Sequence, residues 1–118
     1  MSAIQVQVFG LQKDADTRKA LRFFADRRIR THFVDLRERG AAPAELRRFA
    51  QKFGVHALLD HDGRRFSELG LQSARYSDEH WLKRLVDDAL LIRIPLVRHE
   101  QRLTIGVAEA EWRGWVEK

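Results

Sequence analysis

Residues 4–10 read Ile-Gln-Val-Gln-Val-Phe-Gly, with apolar side chains at 4, 6 and 8 set against glutamines at 5 and 7. An alternation of period two puts the apolar set on one face of an extended chain and the amides on the other, so it specifies a strand. Gly10 ends it. Asp14 and Asp16 are each placed to cap a helix running to about residue 28, with Leu21, Phe24 and Ala25 on one face and Arg18, Arg22 and Asp26 on others. Residues 29–36 then contain a second short strand, Thr31-His32-Phe33-Val34. Strand, helix and strand in so short a span make a βαβ unit, which requires the two strands to be parallel.

Beyond a polar loop at 37–42, Pro43 suits the first turn of an amphipathic helix over 44–53 that buries Leu46, Phe49 and Ala50 and stops at Gly54. Residues 55–71 predict short helical pieces interrupted at Gly63 and anchored by Phe66 and Leu69. Ser77 is the expected cap of a helix to about residue 90, with Asp78 and Glu79 in its first turn, where the dipole favours them, and Trp81, Leu82, Leu85 and Ala89 inward. A strand over 92–97 contains Pro95 and pairs as a hairpin with Leu103-Thr104-Ile105; a helix over 108–117 carries Trp112, Trp115 and Val116. The order βαβ, helices, ββα predicts one α/β domain over 1–118 with a thioredoxin-like fold and a helical insertion at about 43–90. A proline inside a core strand cannot donate to the ladder. In a thioredoxin-like fold, at the start of the third strand, it is expected to be cis.

These stretches together resemble the arsenate reductase-like (ArsC/Spx) family. The resemblance rests on Val8-Phe9-Gly10 with Thr17-Arg18-Lys19-Ala20-Leu21, on Phe33-Val34-Asp35-Leu36-Arg37, on Phe66-Ser67-Glu68-Leu69-Gly70-Leu71, on Ser77-Asp78-Glu79, on residues 91–97 and on Leu103-Thr104-Ile105-Gly106. It implies a nucleophilic Cys four residues after the glycine that ends the first strand, and here that position is Asp14. Where some members carry a second Cys, this chain has Thr17. Arginines that would hold an oxyanion fall on Asp62 and Ile94, with Arg93 adjacent to the latter. The chain has no cysteine anywhere, so it has no disulfide, no thiolate chemistry and no Cys-ligated metal of its own.

An Asp at a helix start keeps the cap and removes the thiol chemistry, and it repels an incoming oxyanion. Unit charges ~4 Å apart at an effective dielectric near 20 cost about 4 kcal/mol before screening. The expectation is therefore a redox-inactive family member acting as a binding or regulatory module, with Arg18, Arg93 and Pro95 as binding residues and with no cofactor or metal. Three alternatives stand beside it: an Spx-like regulator contacting RNA polymerase, a basic nucleic-acid-binding protein, and an enzyme using Asp14 as acid, base or nucleophile. The net charge of +5 bears on the second, although pairs such as Arg27-Arg28, Arg47-Arg48 and Arg64-Arg65 are scattered among acids. Asp60-His61-Asp62 is read as a solvated loop rather than a metal site, and His32, His56, His80 and His99 have no ligand spacing. Trp112 and Trp115 are read as core. Without an 18-residue apolar run no membrane span is predicted. Met1-Ser2-Ala3-Ile4 lacks the pattern of a secretory leader, so a cytoplasmic location is expected. The sequence does not specify an oligomeric state.

Overall fold

The computed structural model describes residues 5–117; Ile4, with which the sequence begins the first strand, lies outside them, as do Met1–Ala3 and Lys118. The chain divides into two compact units, one made of the residues up to Asp35 and from Ile94 onward, the other of Leu36–Arg93.

The first unit holds a four-stranded sheet of order β2-β1-β3-β4. Strand β1 (Gln5–Gly10) runs parallel to β2 (Arg30–Asp35) and antiparallel to β3 (Leu96–His99), which pairs antiparallel with β4 (Arg102–Ile105). The register sets Val8 beside Phe33 and Val97, and Gln7 beside His32 and Arg98. Val6, Val8 and Val97 are fully buried against Ala20, Phe23 and Phe24 of α1 (Ala15–Asp26) and Trp112 and Trp115 of α5 (Glu109–Val116). Phe23, Phe24 and Trp112 pack ring against ring with centroids 5.1–5.4 Å apart. The tryptophans are thus core residues.

The indole N–H of Trp112 donates to Thr104 Oγ1 on β4 at 2.8 Å, inside the core. Thr104, 4% exposed, is the polar residue that lets a large indole be buried there without an orphaned donor.

Two boundaries differ from the sequence reading for backbone reasons. Strand β3 starts at Leu96, after Pro95, because proline has no N–H for the ladder. The Ile94–Pro95 bond is cis, and the Pro95 carbonyl accepts from Gly106 N at 2.8 Å. Helix α1 ends at Asp26, and its inward face is Thr17, Ala20, Phe23 and Phe24; Ala25, expected inside, is exposed, a turn of about 100° past Phe24.

The end of α1 is a Schellman motif: Ile29 N donates to Phe24 O at 2.9 Å and Arg28 N to Ala25 O at 3.0 Å, with Arg28 at φ 58° in the position that glycine usually takes.

The second unit is helical. Helix α2 (Pro43–Phe53) buries Leu46 and Phe49, leaves Ala50 half-buried, and ends at Gly54, whose φ of 84° favours glycine. A 3₁₀ turn at Val55–Leu58, a short α3 (Arg64–Glu68) and a second 3₁₀ turn at Leu71–Ser73 follow. Phe66 is the anchor there, whereas Leu69, expected beside it, is 44% exposed because α3 stops before completing a second turn. Helix α4 (Asp78–Asp87) has Ser77 as its cap, with Oγ accepting from His80 N at 3.2 Å. It stops at Asp87, and Ala89 lies in a separate 3₁₀ turn, half-buried.

Two stability outcomes follow from these contacts. Thr104→Val leaves the buried indole N–H unpaired and is expected to lower unfolding free energy by about 1–3 kcal/mol, while Thr104→Ser largely preserves it; urea titration followed by fluorescence distinguishes them. Arg28→Gly relieves the left-handed backbone of a side chain and is expected to gain up to about 1 kcal/mol in the same titration.

Candidate functional site

The turn between β1 and α1 is closed by its own side chains. Asp14, in an extended conformation (φ −79°, ψ 128°), caps α1. Its Oδ2 accepts from Thr17 N at 2.8 Å and from the Thr17 hydroxyl at 2.9 Å. That hydroxyl in turn accepts from Leu11 N at 3.4 Å. The backbone repeats the closure, with Asp14 N on Leu11 O and Arg18 N on Asp14 O, both at 3.0 Å. A single relay, Leu11 N–H to the Thr17 hydroxyl to the Asp14 carboxylate, therefore ties the strand end to the helix start.

Thr17 is fully buried, and its side chain fills the space over Gly10: a Cβ at Gly10 would collide with the Thr17 hydroxyl and lie 2.7 Å from its methyl carbon. Glycine is required at the strand end because the threonine occupies the position a side chain would need.

The structure brings Asp14 and Thr17 into direct contact. Arg18 is exposed and donates from Nη1 to Lys13 O at 3.3 Å. Pro95 is buried, and Ile94 before it is half-buried. Arg93 belongs to the helical unit, exposed, with its N–H on Leu58 O at 2.7 Å. Asp62 is exposed in the turn before α3.

In the Asp60-His61-Asp62 loop, Asp60 and His61 make separate contacts. Asp60 folds back over Gly63. His61 Nε2 donates to His56 O at 3.0 Å, and its ring packs on Phe66 with centroids 5.1 Å apart. Among the described residues no group of three or more His, Cys, Asp and Glu is arranged to hold a metal ion.

One polar arrangement was not anticipated. On the sheet face opposite Val6 and Val8, Arg98 Nη2 donates to Gln7 Oε1 at 2.8 Å, which turns the Gln7 amide nitrogen toward His32 Nδ1 at 3.4 Å. Because a guanidinium can only donate, this fixes the Gln7 amide orientation and makes His32 Nδ1 the acceptor. Gln5, Gln7, His32, Arg98, His99 and Glu100 line an open cavity of about 500 Å³ there. The alternation of residues 4–8 announces a polar face, but the neighbours on it come from strands 25 and 91 residues away.

If Asp14 acts as a cap, removing its carboxylate exposes the Thr17 N–H and hydroxyl as orphans. Asp14→Ala is expected to cost about 1–2 kcal/mol in unfolding free energy, and Asp14→Ser, which restores an acceptor, much less; denaturant titration of the two variants is the check.

Among the described residues no helix is long and apolar enough to cross a membrane. Comparison with solved structures finds close likeness in fold. The YffB protein superposes with a TM-score of 0.85 at 18% identity, covering 94% of this chain and 98% of that one. An arsenate reductase from Vibrio cholerae gives 0.81 at 21% identity, with 93% and 96% covered. An arsenate reductase (ArsC) related protein from Brucella melitensis gives 0.71 at 18% identity, with 100% and 99% covered. At these identities the likeness speaks for the fold, which is thioredoxin-like. A search of curated protein sequences returned no match. The model of the ArsC family matches residues 9–115, nearly the whole chain, and this cysteine-free protein belongs to that family.

Proposed function

We propose that this chain is a redox-silent ArsC-family protein that works as a binding or regulatory module. The observation that carries the reading is the occupant of the helix start. In the family resemblance, position 14 is that of a nucleophilic thiol; here an Asp carboxylate stands there with both a backbone N–H and a buried hydroxyl bonded to one of its oxygens. A helix N-terminus stabilises an anion. In this protein the helix start already holds the protein's own carboxylate. It has no electron pair of thiolate reactivity to offer arsenate, and its charge opposes the approach of a second oxyanion.

Loss of reactivity without loss of fold supports a role in binding. The cap, the buried Thr17, the glycine it requires and the core of α1 form a consistent structural set. A chain that kept the framework only as debris would not need that consistency across strand end, turn and helix. The alternative in which Asp14 serves as a catalytic acid, base or nucleophile is less favoured, because its carboxylate is engaged with Thr17 in the capping geometry.

The test is arsenate reduction by the purified chain with glutathione and glutaredoxin. No arsenate-dependent turnover is expected. Turnover that disappears in Asp14→Ala would overturn the reading.

A further inference from the structure

We propose that the exposed face of α1, continued through Arg28, is a docking surface for the phosphate backbone of duplex DNA. The proposal rests on the reading of the chain as a binding module and names its partner by chemistry.

Residues 13–30 contain seven Lys and Arg against three Asp, which is most of the chain's net charge of +5. The fold sorts these residues. Arg27 turns inward: its Nε donates to Glu117 Oε2 at 2.9 Å and its guanidinium lies 3.7 Å from the Phe23 ring centroid. Asp14 is turned to Thr17. Lys13, Arg18, Lys19, Arg22 and Arg28 are exposed, as are Asp16 and Asp26. Arg18, Lys19 and Arg22 fall within an arc of about 100° on the helix, shared with Asp26, so cations outnumber the acid there three to one. Among the described residues, Lys19, Arg22, Arg28 and Arg30 make no ion pair, in contrast to Arg27, Arg47, Arg48, Arg65 and Lys83, which do.

The last turn of α1 carries Asp26, and the helix end is served by Arg27, whose Nη1 donates to Phe23 O at 3.1 Å. Arg28 occupies the left-handed position of the Schellman motif, where glycine would relieve the backbone. A side chain kept at a strained position is a pointer to use.

The chemistry of the face selects the partner. The large apolar side chains exposed among the described residues are Phe53, Leu69, Leu90 and Val107, none of them on this segment. Protein interfaces rely on a buried apolar or aromatic centre and are depleted in Lys, so a predominantly cationic surface without an anchor fits an acidic protein poorly. Without an exposed aromatic ring it has no platform on which single-stranded bases could stack. A polyphosphate duplex needs neither, since sequence-independent affinity comes from charge neutralisation. B-form DNA also admits an α-helix to its major groove, which the deep, narrow groove of duplex RNA does not.

The experiment is fluorescence anisotropy of a short fluorescein-labelled DNA duplex of arbitrary sequence, titrated with the full chain between about 50 and 200 mM salt. Binding is expected, weakening with salt at a log–log slope of about −3, the value for three to four neutralised phosphates. Lys19→Gln with Arg22→Gln is expected to weaken binding at least about tenfold and to reduce the slope by about 2, with an unchanged circular dichroism spectrum. Arg113→Gln, on α5, leaves both unaltered. Arg28→Gly is expected to raise the urea midpoint while reducing the slope by about 1, a combination that a purely structural role for Arg28 would not give. Absence of an anisotropy change at the lowest salt, unchanged binding by the double variant, or equal competition by poly-glutamate, duplex RNA or single-stranded DNA would each overturn the proposal. The arsenate assay reads independently of all these outcomes, so failure here leaves the redox-silent reading standing.

Discussion

Strand β1 is hydrogen-bonded along both edges, parallel to β2 and antiparallel to β3, and the sheet-bearing unit is organised around that double constraint. Its alternation leaves no freedom of register. Val6 and Val8 are fully buried under α1 and α5, each worth about 1.5–3 kcal/mol of apolar burial. A slip of one residue would drive Gln7 into that core and expose the valines. Fixing the strand fixes where it ends, at Gly10, and therefore where α1 begins.

The helix start is closed by the side chains of its own turn. Exposed N–H groups at a helix N-terminus are a standing demand for an acceptor. Here Asp14 meets it and is itself held by the Thr17 hydroxyl. The threonine then excludes any side chain at Gly10. The strand end, the cap and the first buried position of the helix are consequently a coupled set, and altering one asks for compensation in the others.

Much of this was legible in the residues. The strand–helix–strand opening, the caps at Asp14 and Ser77, the hairpin of β3 and β4 and the burial of Trp112 and Trp115 follow from local alternation, capping chemistry and apolar spacing. Backbone chemistry shifted what periodicity alone placed: proline moved the start of β3 past Pro95, and the early stop of α3 left Leu69 in solvent. Long-range pairings were out of reach, because the Gln7 amide meets Arg98 and His32 only once three strands are in register. Thr104 illustrates the same limit, since its role depends on an indole donor eight residues on and in another element. Nor did the scattered arginines of the sequence reveal which would face inward, as Arg27 does, and which outward.

The three tryptophans divide unevenly between the units. Trp112 and Trp115 lie in the sheet-bearing unit, the first with its indole N–H bonded and its ring against Phe23 and Phe24. Trp81 lies in the helical unit, edge-on to His56 and Tyr76. Intrinsic emission is therefore already partitioned by architecture. A chain retaining only Trp81 reports on one unit, and a chain lacking only Trp81 reports on the other. Whether the two halves open in concert or in sequence is thus readable from the native chromophores, with no external label attached.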